Sequence, residues 1–366
     1  MTGVPFVNMR AQFAEERERL LPVVEEILSG GMWVGGDAVE RFEAAMCAYT
    51  GARHCVALNS GTDALALGLK VLGVGPGDEV ITPPNSFVAS TAAIIQAGAT
   101  PVFADVLPDQ NIDPARVEAA ITPKTRAIMP VHLTGRIADM DAIMAIADHY
   151  GLKVIEDAAQ SIGSQLDGRQ SGTIGHMGCF SAHPLKNLNA AGDAGYVLTD
   201  DDDMATRLRR LRNHGMVDRD TVGEWGVVSR MDSLQAAILV SRLEDLDDVI
   251  AKRHANAELY RQRLSTEVAF SPPCRNTEFN TFHTFVVQLD RRDELQAHLA
   301  DLGIGTAIHY PVPIHLQPAA ADLGHAIGDF PVAEEQAGRI LSLPVHQFLA
   351  EVDIETVCDA INGFFA

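Results

Sequence analysis

Basic residues are scarce in this chain: 28 lysines and arginines stand against 49 aspartates and glutamates among 366 residues, a net charge of −21. That balance repels polyanions and anionic lipid surfaces, which argues against nucleic acid and membrane as partners. A small anionic ligand stays possible, since one site needs only a few local donors. Cysteine is equally sparse. The five thiols, Cys47, Cys55, Cys179, Cys274 and Cys358, are odd in number and form no C-x-x-C pair. A disulfide framework and a structural zinc site are therefore both disfavoured, and no metal is expected. No window approaches the roughly eighteen consecutive apolar residues of a bilayer span. The opening MTGVPFVNMRAQFAEERERLL lacks a signal-peptide apolar core, so a cytoplasmic location is expected. A G-x-G-x-x-G fingerprint is missing too: G-V-G-P-G (Gly73 to Gly77) has the wrong spacing and follows a helical stretch, which excludes a Rossmann reading.

What the chain does have is apolar residues, 47% of the total, ample for more than one core. Residues 11–29 carry Phe13, Leu20, Leu21, Val24, Ile27 and Leu28 at helical spacing, and a second helix starts at Gly35-Gly36-Asp37. From about residue 53 short apolar runs alternate with helical stretches. HCVALNS, EVITPP, TPVFADV, TRAIMPVHL, LKVIEDA and GYVLT read as strands, while TDALALGLKVLG, SFVASTAAIIQAG and DMDAIMAIADHYG read as helices. Such alternation predicts an α/β domain with a mostly parallel sheet and ligands beyond the strand ends. The acidic run Asp200 to Asp203 reads as a solvated helix start. DSLQAAILVSRLEDLDDVIAKRHANAELYRQRL reads as one long helical tract leading into a second unit, in which FNTFHTFVVQL and GIGTAIHYPVPIH resemble strands. The expected division is a large domain over 1–240 and a smaller one over 241–366.

The segment from Asp157 to Lys186 carries the chemistry. An apolar strand delivers Asp157, and Lys186 lies in a turn between Pro184 and a Gly/Asn/Ala-rich stretch. An acid to hold a protonated ring nitrogen and a lysine to form an imine are what a pyridoxal phosphate (PLP) enzyme must supply. Taken singly, Lys186 reads equally as a surface charge and Asp157 as a helix N-cap. Ser60-Gly61-Thr62 joins a strand to a helix, which suits either a phosphate on unpaired amides or an ordinary cap. Phe87 follows EVITPP and can stack on a planar ring or belong to the core. Gln160, one helical turn beyond Asp157, can reach a ring hydroxyl, and Ser181 can add a phosphate donor. His183 can position the ring, shuttle protons or serve structure alone.

HCVALNSGTDALALGL, PGDEVITPPNSFVASTAAIIQAGATPVFADV, PVHLTGRIADMDAI, VIEDAAQSIGS, FSAHPLKNLNAAGDAG, RNHG, RMDSLQAAIL and HYPVPIHLQP, in that order, resemble the DegT/DnrJ/EryC1/StrS family of sugar aminotransferases along nearly the whole chain. The resemblance implies the aspartate-aminotransferase-like fold (PLP fold type I), with a large sheet domain of the seven-stranded type and a smaller C-terminal α+β domain. It also implies a homodimer with active sites at the subunit interface. Lys186 would hold PLP as a Schiff base, Asp157 the pyridine nitrogen and Gln160 the ring hydroxyl. Gly61, Thr62 and Ser181 would hold the phosphate, and Phe87 would stack on the ring. One position departs from the pattern. Val228 stands where the family commonly has an Asn reaching the partner's cofactor phosphate, and valine has no donor to replace it.

The implied activity is transfer of an amino group from glutamate (or glutamine) to a keto-sugar, expected to be nucleotide-linked, through the PLP and PMP forms of the cofactor. The turn NLNAAGDAG after Lys186 resembles members acting at C-3 more than those acting at C-4. Arg230 is the candidate for a nucleotide diphosphate. His183, His309, Tyr310 and His315 are candidates for the sugar site, although His309, Tyr310 and His315 also fit a packed strand end. Two alternatives are carried forward: a PLP reaction on a non-nucleotide sugar acid or a sugar dehydration, and a regulatory protein that keeps the fold without the chemistry.

Overall fold

The computed structural model describes residues 3–366. The first predicted helix runs as α1 (Met9–Gly30). Asn8 caps it by accepting from the Ala11 amide, and Gly31 ends it at a φ of 72°, where glycine is unstrained. Next come α2 (Asp37–Thr50), β1 (His54–Leu58), α3 (Gly61–Val71), β2 (Glu79–Thr82), α4 (Val88–Gln96) and β3 (Thr100–Phe103). They are followed by α5 (Pro114–Ala119), β4 (Thr125–Ile128), α6 (Met140–Tyr150) and β5 (Lys153–Asp157). A small hairpin of β6 (Gln165–Leu166) and β7 (Arg169–Gln170) precedes β8 (Met177–Ser181) and β9 (Gly195–Thr199). The acidic run then starts α7 (Asp202–Leu211): Asp201 caps it by accepting from the Met204 amide, and Asp202 and Asp203 sit in its first turn, where the helix dipole favours them.

These strands form a seven-stranded sheet in the order β1-β9-β8-β5-β4-β2-β3, in which only β9 runs against its neighbours. Period-two alternation feeds a core on each face. Val56, Val80, Ala127, Ile155, Cys179 and Val197 pack under α3, α4 and α7. On the other face Ile81, Ile128 and Val154 meet α5 and α6. Cys55, Ala57, Phe180 and Tyr196 meet α2 and a later helix, α8 (Ser233–Leu243). Helix α3 can lie close on the sheet because Gly68 has no side chain: a Cβ there would stand 2.7 Å from Ile155 Cδ1 and 3.0 Å from Met177 Sδ.

The predicted long helical tract is broken. It continues past α8 as α9 (Leu246–Arg263), with Asp245 between the two outside helical geometry. Then follow β10 (Glu278–Phe279), β11 (Phe285–Gln288), α10 (Arg292–Asp301), α11 (Pro331–Arg339), β12 (Ile340–Leu343) and α12 (Glu351–Phe365). Tyr260, Phe285, Val287, Leu295, Leu341 and Ile354 build a further core here, joined by Val4 from the other end of the chain.

The strand expected over GIGTAIHYPVPIH does not form. The segment makes single bridges, Val4 to Ile304 and Ala307 to Ser342, and a 3-10 turn at Ile314–Leu316. Pro311 and Pro313 lack the N–H groups a ladder needs, and alternating apolar residues alone could not report that.

Candidate active site

Because β1, β2, β4, β5 and β8 are parallel, their C-terminal ends share one edge of the sheet. Asp157 ends β5 there and is buried. The chain leaving β4 fixes its backbone, with the Asp157 amide donating to Pro130 O at 2.9 Å and the His132 amide donating to Asp157 O at 3.0 Å. The carboxylate accepts from Ser90 Oγ at 2.7 Å and from the Ala159 amide at 3.2 Å. Burial still outweighs these donors and the charge of Lys186, and raises its pKa above the usual carboxylate value. The neighbouring Glu156 faces the opposite way. It accepts three amides, from Gly172, Ile174 and Gly175, and pairs with His132 Nε2 at 2.8 Å. His132 Nδ1 accepts from the Ala138 amide, which assigns the proton to Nε2.

Lys186 lies in the turn after β8, closed by its own amide donating to His183 O at 2.8 Å. The ammonium faces a cavity of about 460 Å³ whose lining includes Asp157, Gln160, Ser181 and Tyr310. Desolvation lowers its pKa from 10.5 to about 8, with the charge of Asp157 opposing the shift. The turn is clamped from behind. Asn189 donates to Pro184 O at 2.6 Å and exchanges hydrogen bonds with Gln12 of α1. Arg242 of α8 holds Asn189 through its carbonyl and its side chain and forms a buried pair with Glu16. Arg242→Ala would leave Glu16 buried and unpaired, at a cost of about 3–5 kcal/mol. The expected result is a marked fall in the urea midpoint, most of it recovered when Glu16→Leu is added. An unchanged midpoint would count against the clamp.

The start of α3 makes a ready anion cradle. Ser60 Oγ accepts from the Asp63 amide and Ser60 O from the Ala64 amide. The amides of Gly61 and Thr62 are then left without partners among the described residues, as the first turn of a helix dictates. Gly61 lets β8 approach this turn, since a Cβ there would stand 2.7 Å from Ser181 Cβ. Two free amides and the hydroxyls of Thr62 and Ser181 so converge on one end of the cavity. Asp157, also in the lining, has no cation bonded to its carboxylate among the described residues; its partners are the Ser90 hydroxyl and the Ala159 amide. Both features fit PLP, whose phosphate needs donors and whose ring nitrogen carries a proton.

Phe87 precedes α4, is 54% exposed, and lies 5.7 Å from the Tyr310 ring between centroids. Gln160 has its oxygen fixed by the Thr134 amide at 2.7 Å and its amide nitrogen directed to the Tyr310 hydroxyl at 3.4 Å. Burial raises the pKa of Tyr310 to about 12. His309 bonds Ser342 through Nδ1 at 2.8 Å, and burial holds its pKa down to about 4. His183 is exposed at the cavity rim and accepts from the Leu185 amide. Two sequence candidates lie elsewhere within this chain. Arg230 bonds Asn213 in a separate surface hollow, and His315 is buried against Glu334. Sequence reading passed over Ser90, Arg253, His283 and Thr284, the last three of which line the cavity. Nothing in their local pattern marks them.

The model of the DegT/DnrJ/EryC1/StrS aminotransferase family matches residues 14–362. A dTDP-3-amino-3,4,6-trideoxy-alpha-D-glucose transaminase of Streptomyces venezuelae is 42% identical over 98% of this chain and 95% of its own. A pleiotropic regulatory protein of Geobacillus stearothermophilus is 41% identical over 99% of both chains. Among solved structures, S. venezuelae DesV, crystallised with a ketimine intermediate, superposes with a TM-score of 0.97 at 42% identity, covering 100% of this chain and 99% of that one.

Proposed function

This chain belongs to the DegT/DnrJ/EryC1/StrS aminotransferase family, and from that premise we propose that it aminates C-3 of a nucleotide-linked keto-sugar at the expense of glutamate or glutamine. It is a PLP-dependent aminotransferase of fold type I. The carrying observation is the meeting of Lys186, Asp157 and the α3 amides in one cavity. The S. venezuelae transaminase, named for a 3-amino sugar, supports C-3. The name of the G. stearothermophilus relative points to regulation. Retention of both Lys186 and Asp157 in this chain favours catalysis.

Bound in the cavity, PLP supplies a carbonyl carbon that exchanges amines and a ring that withdraws electrons from the substrate carbon. Gly61, Thr62 and Ser181 would anchor its phosphate through two amides and two hydroxyls, and Phe87 would lie against the ring. Gln160 would donate to the ring hydroxyl. Asp157 would hold the proton on the ring nitrogen, its carboxylate oriented by Ser90 and the Ala159 amide. Lys186 would hold the group covalently, and its Nζ, when free, would be the base that takes the proton from the substrate carbon. Its lowered pKa keeps a usable fraction of free base near neutral pH.

The same reading makes the protein a cytoplasmic homodimer with sites at the subunit interface. Phe87, Leu185, Val228 and Trp225 are 54%, 47%, 52% and 86% exposed, and a second copy would cover them. A monomer by sedimentation at micromolar concentration would count against it. The substrate assignment is tested by incubating the enzyme with glutamate and a panel of nucleotide-linked 3-keto and 4-keto sugars while following 2-oxoglutarate. Release with 3-keto sugars is expected, and release with 4-keto sugars alone overturns the C-3 assignment.

A further inference from the structure

One wall of the cavity holds polar atoms with nothing to bind. Arg253 of α9 is only 8% exposed, yet no carboxylate contributes to its charge environment. The cavity's own acids, Asp157 and Asp193, do not serve it. Nη1 donates to Phe282 O at 3.3 Å and His283 O at 3.1 Å. Among the described residues Nε is buried without a partner, and Nη2 is the nitrogen neither bonded to protein nor sealed off. Beside it, His283 Nδ1 and Thr284 Oγ1 are likewise unpartnered. His283 feels the charges of both Lys186 and Arg253, so the three groups adjoin, and burial with these charges keeps its ring neutral.

A chain with a net charge of −21 has spare carboxylates for every arginine. Leaving this one buried and unpaired costs stability unless an anion arrives with the substrate. The cofactor phosphate has its own donors at α3. A guanidinium with free N–H groups beside a hydroxyl and a neutral imidazole suits a planar pair of oxygens.

We propose that Arg253, flanked by His283 and Thr284, is the carboxylate anchor of the active site and grips the amino donor while its amine meets Lys186. This rests on the aminotransferase reading and adds to it the group that recognises the donor. A keto-sugar acid would present the same chemistry, and the test separates the two.

Binding of glutarate, an unreactive dicarboxylate, to the PLP-loaded enzyme is measured by calorimetry for wild type, Arg253→Gln and Thr284→Val. Half-reactions are then followed with glutamate, glutamine, glutamate α-amide and a carboxylate-free amine. Loss of a buried charge partner predicts glutarate binding at least about thirtyfold weaker in Arg253→Gln. The preference for glutamate over the carboxylate-free amine should collapse in step. Arg253 also ties two carbonyls, so Thr284→Val guards against misfolding: it keeps the side-chain shape and should raise KM for glutamate several-fold at an unchanged melting temperature. Full glutamate preference in both variants overturns the proposal. Loss confined to amination of a keto-uronate, with wild-type glutamate kinetics, gives the carboxylate to the sugar and overturns the donor assignment. Failure of the wild type itself to release 2-oxoglutarate would strike the aminotransferase reading instead.

Discussion

Lys186→Ala is expected to remove the borohydride-reducible link to PLP and to lower turnover by a factor of about 10⁴ or more. The loss combines two roles, since the amine both holds the cofactor covalently and moves the proton, and proton transfer alone contributes about 10²–10⁴. No other cavity side chain can stand in. Arg253 keeps its proton, with a pKa of about 10, and His183, His283 and His309 cannot form a stable imine. Burial gives the argument a pH signature. With a pKa of about 8, roughly one Lys186 in ten is free base at pH 7, against about one in three thousand for an ordinary lysine. Charge is lost as pH rises, so capture of added PLP by the cofactor-free protein should climb through pH 8 and level off. A midpoint near the ordinary lysine value, or a reducible adduct persisting at another residue in Lys186→Ala, would contradict the assignment.

The residues that sequence could locate share a physical property: each follows a strand at the same sheet edge. Asp157 after β5, Ser181 at the end of β8, the Ser60-Gly61-Thr62 turn after β1 and Phe87 beyond β2 are fixed by one rule, that parallel strands deliver their C-terminal ends together. The alternation of strands and helices carried that rule into the chain, so the large sheet was legible. Arg253, His283 and Thr284 obey no such rule. Arg253 lies in the middle of α9, and it borders the cavity only because the C-terminal core packs where it does. Its lack of an acidic partner is a fact of three dimensions. Arg230 and His315 show the converse. A cation and a histidine near family-like motifs looked available, but one pairs with Asn213 and the other with Glu334. The strand expected over residues 303–315 failed for a local reason, its prolines, which alternation of apolar residues cannot register.

Asp157→Asn should cost turnover about 10²–10³ while leaving PLP binding nearly intact, because a preorganised charge facing the reacting group contributes on that scale. The asparagine keeps the size of the side chain: its oxygen can still accept from the Ala159 amide, and its amide nitrogen can donate to Ser90 Oγ, which turns its own proton to Phe87 O, so the shape survives and the charge does not. The phosphate donors at Gly61, Thr62 and Ser181 are untouched, and the expected split is a large fall in kcat with a small change in cofactor affinity by equilibrium dialysis. Burial has already raised the Asp157 pKa, so the carboxylate takes up its proton at a higher pH than an ordinary aspartate. In the cofactor-free protein its charge is present above that raised pKa and lost as pH falls through it. Ser90→Ala removes one of the two donors that oppose the shift and moves this loss further toward neutral pH, with an activity penalty of about tenfold, the worth of one hydrogen bond to a charged group. Near-wild-type kcat in Asp157→Asn, with Ser90→Ala equally mild, would mean that the ring nitrogen does not depend on this carboxylate for its proton. The three amides and the imidazole that hold Glu156 would then have to be regarded as the purpose of the β5 terminus, and Asp157 as its by-product.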